Sequence, residues 1–142
     1  MSAQTILVVD DDPDLLHLLE AALGRRGHVV LTAPSGLEGL VAAEGERPDL
    51  IVLDVMMGGM DGWEVLKLLK LDPDTHDIPV VMLSARVEAR DKIRGLQEGA
   101  VDFVAKPFSI HEVVHALEAV LQARPAARQA SGNEGQGNEG YR

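Results

Sequence analysis

The chain has 142 residues, a formal net charge of −10 at pH 7 and no cysteine. This length suits one domain with a substantial core, the missing thiols exclude disulfides and thiolate sites, and the acidic balance argues against direct binding of nucleic acid, which needs a basic face. No apolar run reaches the roughly 20 residues of a membrane span and no leader pattern opens the chain, so we expect a cytoplasmic protein without membrane contact.

The first part of the chain is predicted to hold two pairs of a strand and a helix. Residues 5–9 are an apolar, partly β-branched run, and Pro13 begins a helix whose leucines recur at helical spacing. Residues 29–31 predict a second strand, after which Ser35 and Glu38 have the spacing of a capping box at the start of a second helix.

The central strand is predicted at residues 50–53. This apolar run is short and closed by turn residues, which is typical of a strand buried on both faces of a parallel sheet. It leads directly into Asp54, and a glycine-rich turn connects it to a third helix that begins near Trp63. Asp54 is therefore expected at the carboxyl end of a central strand, where ligands gather in open α/β sheets.

The fourth pair is predicted between residues 79 and 98. Residues 79–83 form an apolar run that ends in Ser84. A helix rich in charge follows from about residue 87 to residue 98, with Ile93 and Leu96 as its expected apolar contacts.

The fifth pair completes the predicted domain. Residues 101–105 predict the last strand, which ends at Lys106, and Ser109 and Glu112 form a second capping box at the start of the last helix. Strict alternation of strands and helices indicates an α/β fold, with a five-stranded parallel sheet covered by helices on both faces.

The composition changes at Pro125, where Ala, Arg, Gln, Gly, Asn and Glu take over. Such residues bury little apolar area, so we expect a disordered tail or linker at 125–142 beside a domain at 1–124.

Four predicted strands end in side chains suited to phosphoryl chemistry, namely Asp10 and Asp11, Asp54, Ser84 and Lys106. Parallel strands share one edge, where three carboxylates would repel one another by roughly 4 kcal/mol per pair at about 4 Å. Such a cluster needs a cation, and an all-oxygen site with room for water suits Mg²⁺. One carboxylate could then attack phosphorus while the serine and the lysine contact the phosphoryl oxygens, which would produce an aspartyl phosphate.

A plainer interpretation exists for each of these residues alone. The acids at 10–12 could be a helix cap and first-turn acids, Ser84 could cap a helix, and Lys106 could be a surface lysine. However, each residue follows a separate predicted strand, and this coincidence favours the functional interpretation.

Short motifs spread from Thr5 to about Ala123 resemble the receiver domain of two-component response regulators. In chain order they are Val-Val-Asp-Asp at 8–11, Leu-Asp-x-x-Met at 53–57, Met-Asp-Gly at 60–62, Leu-Ser-Ala at 83–85 and Lys-Pro-Phe at 106–108. The resemblance implies a flavodoxin-like, doubly wound fold with strand order 2-1-3-4-5.

The resemblance also implies which residues hold the metal and the phosphoryl group. Asp54 would be the phosphoacceptor, and Asp10, Asp11 and Asp54 would bind Mg²⁺ together with the backbone carbonyl of Met56. Ser84 and Lys106 would bind the phosphoryl group. The resemblance implies no cofactor other than the metal ion.

A conformational switch follows from the same resemblance. Ser84 and Phe103 would be its moving residues, and phosphorylation would remodel the face formed by helix 4, strand 5 and helix 5. One departure from the family is Gly58, where proline is common, and it predicts a looser turn after Asp54.

The partners implied are a sensor histidine kinase or phosphotransfer protein, and a downstream protein that binds the helix 4, strand 5 and helix 5 face. A phosphorylation-dependent homodimer stays open. The domain would act as a signalling switch rather than an enzyme, catalysing only its own phosphoryl transfer and slow self-dephosphorylation.

Two other hypotheses compete with the switch. The Asp-x-Asp of residues 10–12 is similar to that of haloacid-dehalogenase-like phosphatases, in which Asp10 would be the nucleophile and Asp54 would have no role. A pseudo-receiver that only binds partners is the other, and the intact set of acids argues against it.

Overall fold

The computed structural model describes residues 4–84, 89–105 and 108–134, with residues 89–90 and 124–134 described as backbone only. These residues form five strands and five helices in strict alternation, as predicted. The elements are β1 Thr5–Val9, α1 Pro13–Arg25, β2 Val29–Ala33, α2 Gly36–Glu46, β3 Leu50–Asp54, α3 Gly62–Leu71, β4 Val80–Ser84, α4 Ala89–Gln97, β5 Asp102–Ala105 and α5 Ile110–Glu134.

The strands form one parallel sheet in the order β2-β1-β3-β4-β5. This order confirms the predicted doubly wound fold. The register aligns the strand ends, because Val9 pairs with Leu53, Asp54 with Leu83, and Ser84 with Ala105. Residues at the carboxyl ends of β1, β3 and β4 therefore share one edge of the sheet.

Two apolar cores cover the two faces of the sheet. Alternate residues of β3 enter different cores, since side chains of a strand point to opposite faces in turn. Residues of α2 and α3 pack in the first core, which also contains Phe103. Residues of α1 and α5 pack in the second. All five residues of β3 are buried, as the continuous apolar run predicted.

The caps predicted from sequence are confirmed at three helices. Asp12 accepts the Asp14 N–H at the start of α1. The capping box at Ser109 is complete, because Ser109 and Glu112 exchange hydrogen bonds of 3.0 Å in both directions. At Ser35 only the serine half forms: its hydroxyl accepts the Glu38 N–H, but the Glu38 carboxylate accepts from that hydroxyl and not from the backbone N–H of Ser35. These bonds satisfy N–H groups that the first turn of a helix leaves without partners.

The predicted packing of α4 is wrong. Ile93 and Leu96 are 55% and 57% exposed instead of contacting the sheet. Among residues 91–97 of α4, whose side chains the structure describes, the buried one is Gly95, where an added Cβ would lie 3.0 Å from Cδ2 of Phe103. Because glycine has no side chain, the helix can approach the Phe103 ring closely at this position. The spacing of apolar side chains in the sequence does not reveal that the glycine side of the helix faces the core.

The last helix extends past residue 124, where the composition changes. Its backbone is helical to Glu134, and the alanines in this segment are strong helix formers whose backbone bonds need no apolar partner. Residues 135–142 lie outside the described residues, and the division into a domain and a tail stays a prediction. Among the described helices, none combines the length and the apolar character needed to cross a membrane.

Candidate functional site

Three carboxylates meet at the carboxyl edge of the sheet. Asp10 follows β1, Asp54 ends β3, and Asp11 stands beside them, so that one oxygen of each lies within 4.8 Å of the others. Asp10 and Asp54 are buried, with exposed fractions of 0% and 3%, whereas Asp11 is exposed. The cluster therefore consists of two buried carboxylates and one carboxylate that faces solvent.

Local hydrogen bonds hold the loop that carries Asp10. Its backbone N–H donates to the carbonyl of Ala33 at 3.1 Å, which continues the β1–β2 pairing by one residue. Its Oδ1 accepts the N–H of Asp12 at 2.9 Å, while Asp12 itself caps α1. The three acids at 10–12 therefore have different roles. Asp12 caps the helix, whereas Asp10 and Asp11 belong to the acid cluster.

The turn after Asp54 is tight and depends on a glycine. The N–H of Gly62 donates to the carbonyl of Val55 at 2.9 Å. A Cβ at Gly62 would overlap the carbonyl oxygen of Asp54 and lie 2.7 Å from the Cα of Val55. The first turn of α3 consequently packs directly on the backbone that carries Asp54.

A further hydrogen bond joins this turn to the acid cluster. The N–H of Gly58 donates to Oδ2 of Asp11 at 3.2 Å. This contact joins residues distant in sequence, and no sequence pattern signals it. It ties the turn to the loop after β1 through a bond that a proline at position 58 could not make.

Ser84 lies on the neighbouring strand at the same edge. It ends β4, is buried with 2% exposure, and pairs in register with Ala105 of β5. The strand carrying it is hydrogen bonded to β3, so its side chain belongs to the edge that carries the acids. Lys106, predicted to complete this edge, lies outside the described residues.

The side chains of Met56 and Phe103 have opposite environments. Met56 is 59% exposed, so its side chain lies away from the core, and the metal-binding role of its carbonyl stays a prediction. Phe103 is buried with 6% exposure, and its ring centroid lies 6.1 Å from that of Trp63 at an interplanar angle of 40°. Its predicted movement likewise stays a prediction.

The acid cluster has the donor set of a small, hard cation. Its members are carboxylates with no nitrogen or sulfur ligand among them, and one of them is exposed, which leaves a side open to water. Mutual repulsion among three carboxylates favours cation binding at this edge. The residues present therefore fit a magnesium ion.

A second acidic group was missed by the sequence analysis. Glu44, Asp72 and Asp74 place one carboxylate oxygen each within 4.8 Å of one another. A hydrogen bond with Asp72 raises the pKa of Glu44 above its usual value, and repulsion by Asp72 adds to this. The group lies at the exposed ends of α2 and α3, where Asp72 accepts the Asp74 N–H at 2.9 Å.

Comparison with known families agrees with this arrangement. Residues 6–118 match the family described as response regulator receiver domain. The chain is 45% identical over 126 residues to PhoP, the alkaline phosphatase synthesis transcriptional regulatory protein of Bacillus subtilis, covering 89% of this chain and 52% of PhoP. It is 35% identical over 116 residues to protein PilH of Pseudomonas aeruginosa, covering 82% of this chain and 96% of PilH.

Solved structures show the same fold. The chemotaxis protein CheY4 of Vibrio cholerae has a TM-score of 0.79 at 29% identity, covering 84% of this chain and 99% of CheY4. The N-terminal domain of a response regulator receiver protein from Methanoculleus marisnigri has a TM-score of 0.70 at 42% identity, covering 84% and 98%. The chain spans about half the length of PhoP and of similar transcriptional regulators, and nearly all of PilH.

Proposed function

Because the chain belongs to the response-regulator receiver domain family of two-component systems, we propose that Asp54 is the residue that accepts the phosphoryl group. The observation that carries the proposal is the acid cluster, in which Asp54 lies at the end of the central strand with Asp10 and Asp11 beside it. Asp10, Asp11 and Asp54, with the backbone carbonyl of Met56, would hold Mg²⁺. When bound, this ion neutralises the carboxylates and charge on the phosphoryl oxygens.

Asp54 acts as the nucleophile in the proposed transfer. One of its carboxylate oxygens forms a bond to phosphorus while the bond from phosphorus to the donor, a phosphohistidine nitrogen or an acyl oxygen, breaks. The leaving group departs with the electron pair, as an imidazole from a phosphohistidine or as a carboxylate from an acyl phosphate. Because Asp54 is buried, bulk water has little access to its carboxylate, and this limits hydrolysis of the aspartyl phosphate.

Ser84 and Lys106 bind the phosphoryl group in this proposal. The Ser84 hydroxyl, on the strand paired with β3, donates a hydrogen bond to a phosphoryl oxygen, and the Lys106 ammonium supplies positive charge. The domain catalyses only this transfer and the slow hydrolysis of its own aspartyl phosphate, which releases inorganic phosphate.

The proposed output is a shift between two conformations. Moving such an equilibrium from mostly off to mostly on needs about 5 kcal/mol of differential stabilisation, to which contacts of Ser84 with the new dianion contribute. Phe103 lies on the next strand, and the exposed Ile93, Leu96 and Val101 give the α4–β5 region an apolar surface for a downstream protein. The upstream partner is a histidine kinase or phosphotransfer protein.

Two settings for this domain fit the relatives. PilH has nearly the length of the matched region, which supports a domain that acts alone, whereas PhoP is a transcriptional regulatory protein of about twice that length. In the second setting a separate module would contact DNA. The net charge of −10 supports the prediction that the receiver domain itself does not.

Phosphorylation of Asp54 can be tested by intact mass after incubation with Mg²⁺ and a small acyl-phosphate donor. We expect one added phosphoryl group in wild type, and none in Asp54→Asn or after chelation of Mg²⁺. Asp12→Asn is the matched control, because asparagine also caps a helix and residue 12 lies outside the cluster, so this variant should be labelled normally.

The same experiment separates the competing hypotheses. A label that persists in Asp54→Asn would remove Asp54 as the acceptor and favour the phosphatase-like use of Asp10. An unmodified wild type that still folds would favour a pseudo-receiver. Hydroxylamine should release the label if it is an acyl phosphate.

A further inference from the structure

Asp11 is the exposed member of the acid cluster, and a single backbone group orients it in the described structure. Asp10 and Asp54 are buried, so packing restricts their side chains. Asp11 lacks this restriction but accepts the Gly58 N–H through Oδ2 at 3.2 Å. An exposed carboxylate without such a bond would sample several rotamers, and binding a ligand would then cost the entropy of selecting one.

We propose that the backbone N–H of Gly58 positions Asp11 for cation binding. In the metal-free protein this donor holds the Asp11 carboxylate beside Asp10 and Asp54 against their repulsion. The three carboxylates are thereby arranged before a cation binds. Mg²⁺ then binds more tightly, because binding costs less side-chain conformational entropy. This inference rests on the proposed function only for the identity of the cation.

The conformation of Gly58 indicates that its N–H matters more than its lack of a side chain. A Cβ added there would meet no atom within 4 Å, and its φ is not among the positive values of the chain. The neighbouring Gly59 has a φ of 76° and meets the turn's need for glycine. Alanine at position 58 should therefore be accommodated with the N–H kept, whereas proline would delete the N–H.

This matched pair of substitutions gives the first test. Mg²⁺ affinity is measured by calorimetry on the full chain of wild type, Gly58→Ala and Gly58→Pro. We expect Gly58→Ala to bind within about twofold of wild type and Gly58→Pro to bind about fivefold more weakly than Gly58→Ala, as expected from loss of one exposed hydrogen bond to a carboxylate. Equal affinities of the two variants would overturn the proposal.

A double-mutant cycle on the metal-free protein separates the lost hydrogen bond from the other effects of proline on the backbone, because those effects are the same with and without Asp11 and cancel in the comparison. The folding equilibrium constants of Gly58→Ala and Gly58→Pro are compared in the wild-type background and in the Asp11→Ala background by urea unfolding. We expect the loss caused by proline to be about fivefold larger when Asp11 is present. Equal losses in the two backgrounds would overturn the proposal.

A measurement without proline covers the case in which Gly58→Pro fails to fold. Amide hydrogen exchange of Gly58 should accelerate at least about threefold in Asp11→Ala, and an unchanged rate would overturn the proposal. Failure of the proposed function would look different. A folded wild type that binds no Mg²⁺ contradicts the cation site, while the cycle and the exchange rate still report on the bond between Gly58 and Asp11.

Discussion

At the scale of the residue, the absence of a side chain at Gly62 allows the close packing of α3 on the backbone of Asp54. The strand ends at Asp54, and α3 begins at Gly62 after a turn that brings the two backbones into contact. The carbonyl of Val55 accepts the Gly62 N–H at 2.9 Å. A side chain at residue 62 would have backbone as its neighbour, and backbone cannot rotate aside as the end of a flexible side chain can.

Gly62→Ala should therefore destabilise the domain. The new methyl group would force the backbone of Asp54 and Val55 to move, which we expect to cost on the order of 2 kcal/mol or more in the free energy of unfolding. Urea unfolding followed by circular dichroism measures this loss.

Gly45→Ala provides the matched control for this substitution. Gly45 lies in α2 with no atom within 4 Å of an added Cβ, so alanine should stabilise the helix by about 0.5 kcal/mol. A loss of stability as large in Gly45→Ala as in Gly62→Ala would show that contact with the Asp54 backbone is not the cause.

Trp63 connects three elements at the scale of helices and strands. It lies in the first turn of α3, and its ring contacts Phe103 of β5 on one side. The guanidinium carbon of Arg94, on α4, lies 4.1 Å from the centroid of the same ring, close enough for a cation–π interaction. This interaction compensates for the small apolar contact that α4 makes with the sheet.

Arg94→Gln should loosen the packing of α4. Loss of the cation over the ring should lower the free energy of unfolding by about 0.5 to 1 kcal/mol and change the fluorescence of Trp63, the only tryptophan in the chain. Equilibrium unfolding and emission spectra of the native state measure the two effects.

Glu98→Gln separates the ring contact from the ion pair of Arg94. Glu98 accepts from Nε of Arg94 at 3.0 Å, and its loss removes an exposed helix pair worth about 0.3 to 0.5 kcal/mol while the ring contact remains. Arg94→Gln removes both contacts, so an effect of Glu98→Gln as large as that of Arg94→Gln would contradict the role assigned to the cation–π interaction.

Glu118 joins distant parts of the chain at the scale of the whole molecule. This residue of α5 accepts hydrogen bonds from Arg26, at the end of α1, at 2.9 and 2.5 Å, and lies 3.1 Å from Nε2 of the buried His28. The hydrogen bond with Arg26 is the main cause that lowers the pKa of Glu118 to about 2, against the opposing effect of burial. The same contact raises the pKa of Arg26.

The stability of the domain should depend on pH through this carboxylate. Since the folded pKa of Glu118 lies below its ordinary value of 4.5, its contribution is present above about pH 4.5 and is lost as the pH falls toward 2. We expect a contribution of about 1 kcal/mol, because Arg26 is half-exposed and water screens the pair. Glu118→Gln should remove it.

Unfolding free energies of wild type and Glu118→Gln between pH 2 and pH 6 test this prediction. The difference between them should grow as the pH rises from about 2 to about 4.5 and then stay constant. Glu20→Gln, which changes an exposed acid of α1, should follow wild type. Parallel curves for wild type and Glu118→Gln would contradict the assignment.

The sequence by itself determined the order of the elements, the parallel sheet and the common edge of the strand-end residues. Helical and strand periodicity are local properties, and alternation of the two leaves few ways to build a sheet. It follows that Asp10, Asp54 and Ser84 share an edge, because each lies one step from an apolar run that pairs in parallel with its neighbour.

Only the tertiary structure decided how these residues are held. The burial of Asp54 beside an exposed Asp11, the hydrogen bond from Gly58 and the ion pair between Arg26 and Glu118 join residues far apart in the chain. Such contacts depend on how turns fold back and on how helices rotate against the sheet. For that reason Ile93, apolar in the sequence, is exposed while a glycine of the same helix packs on Phe103.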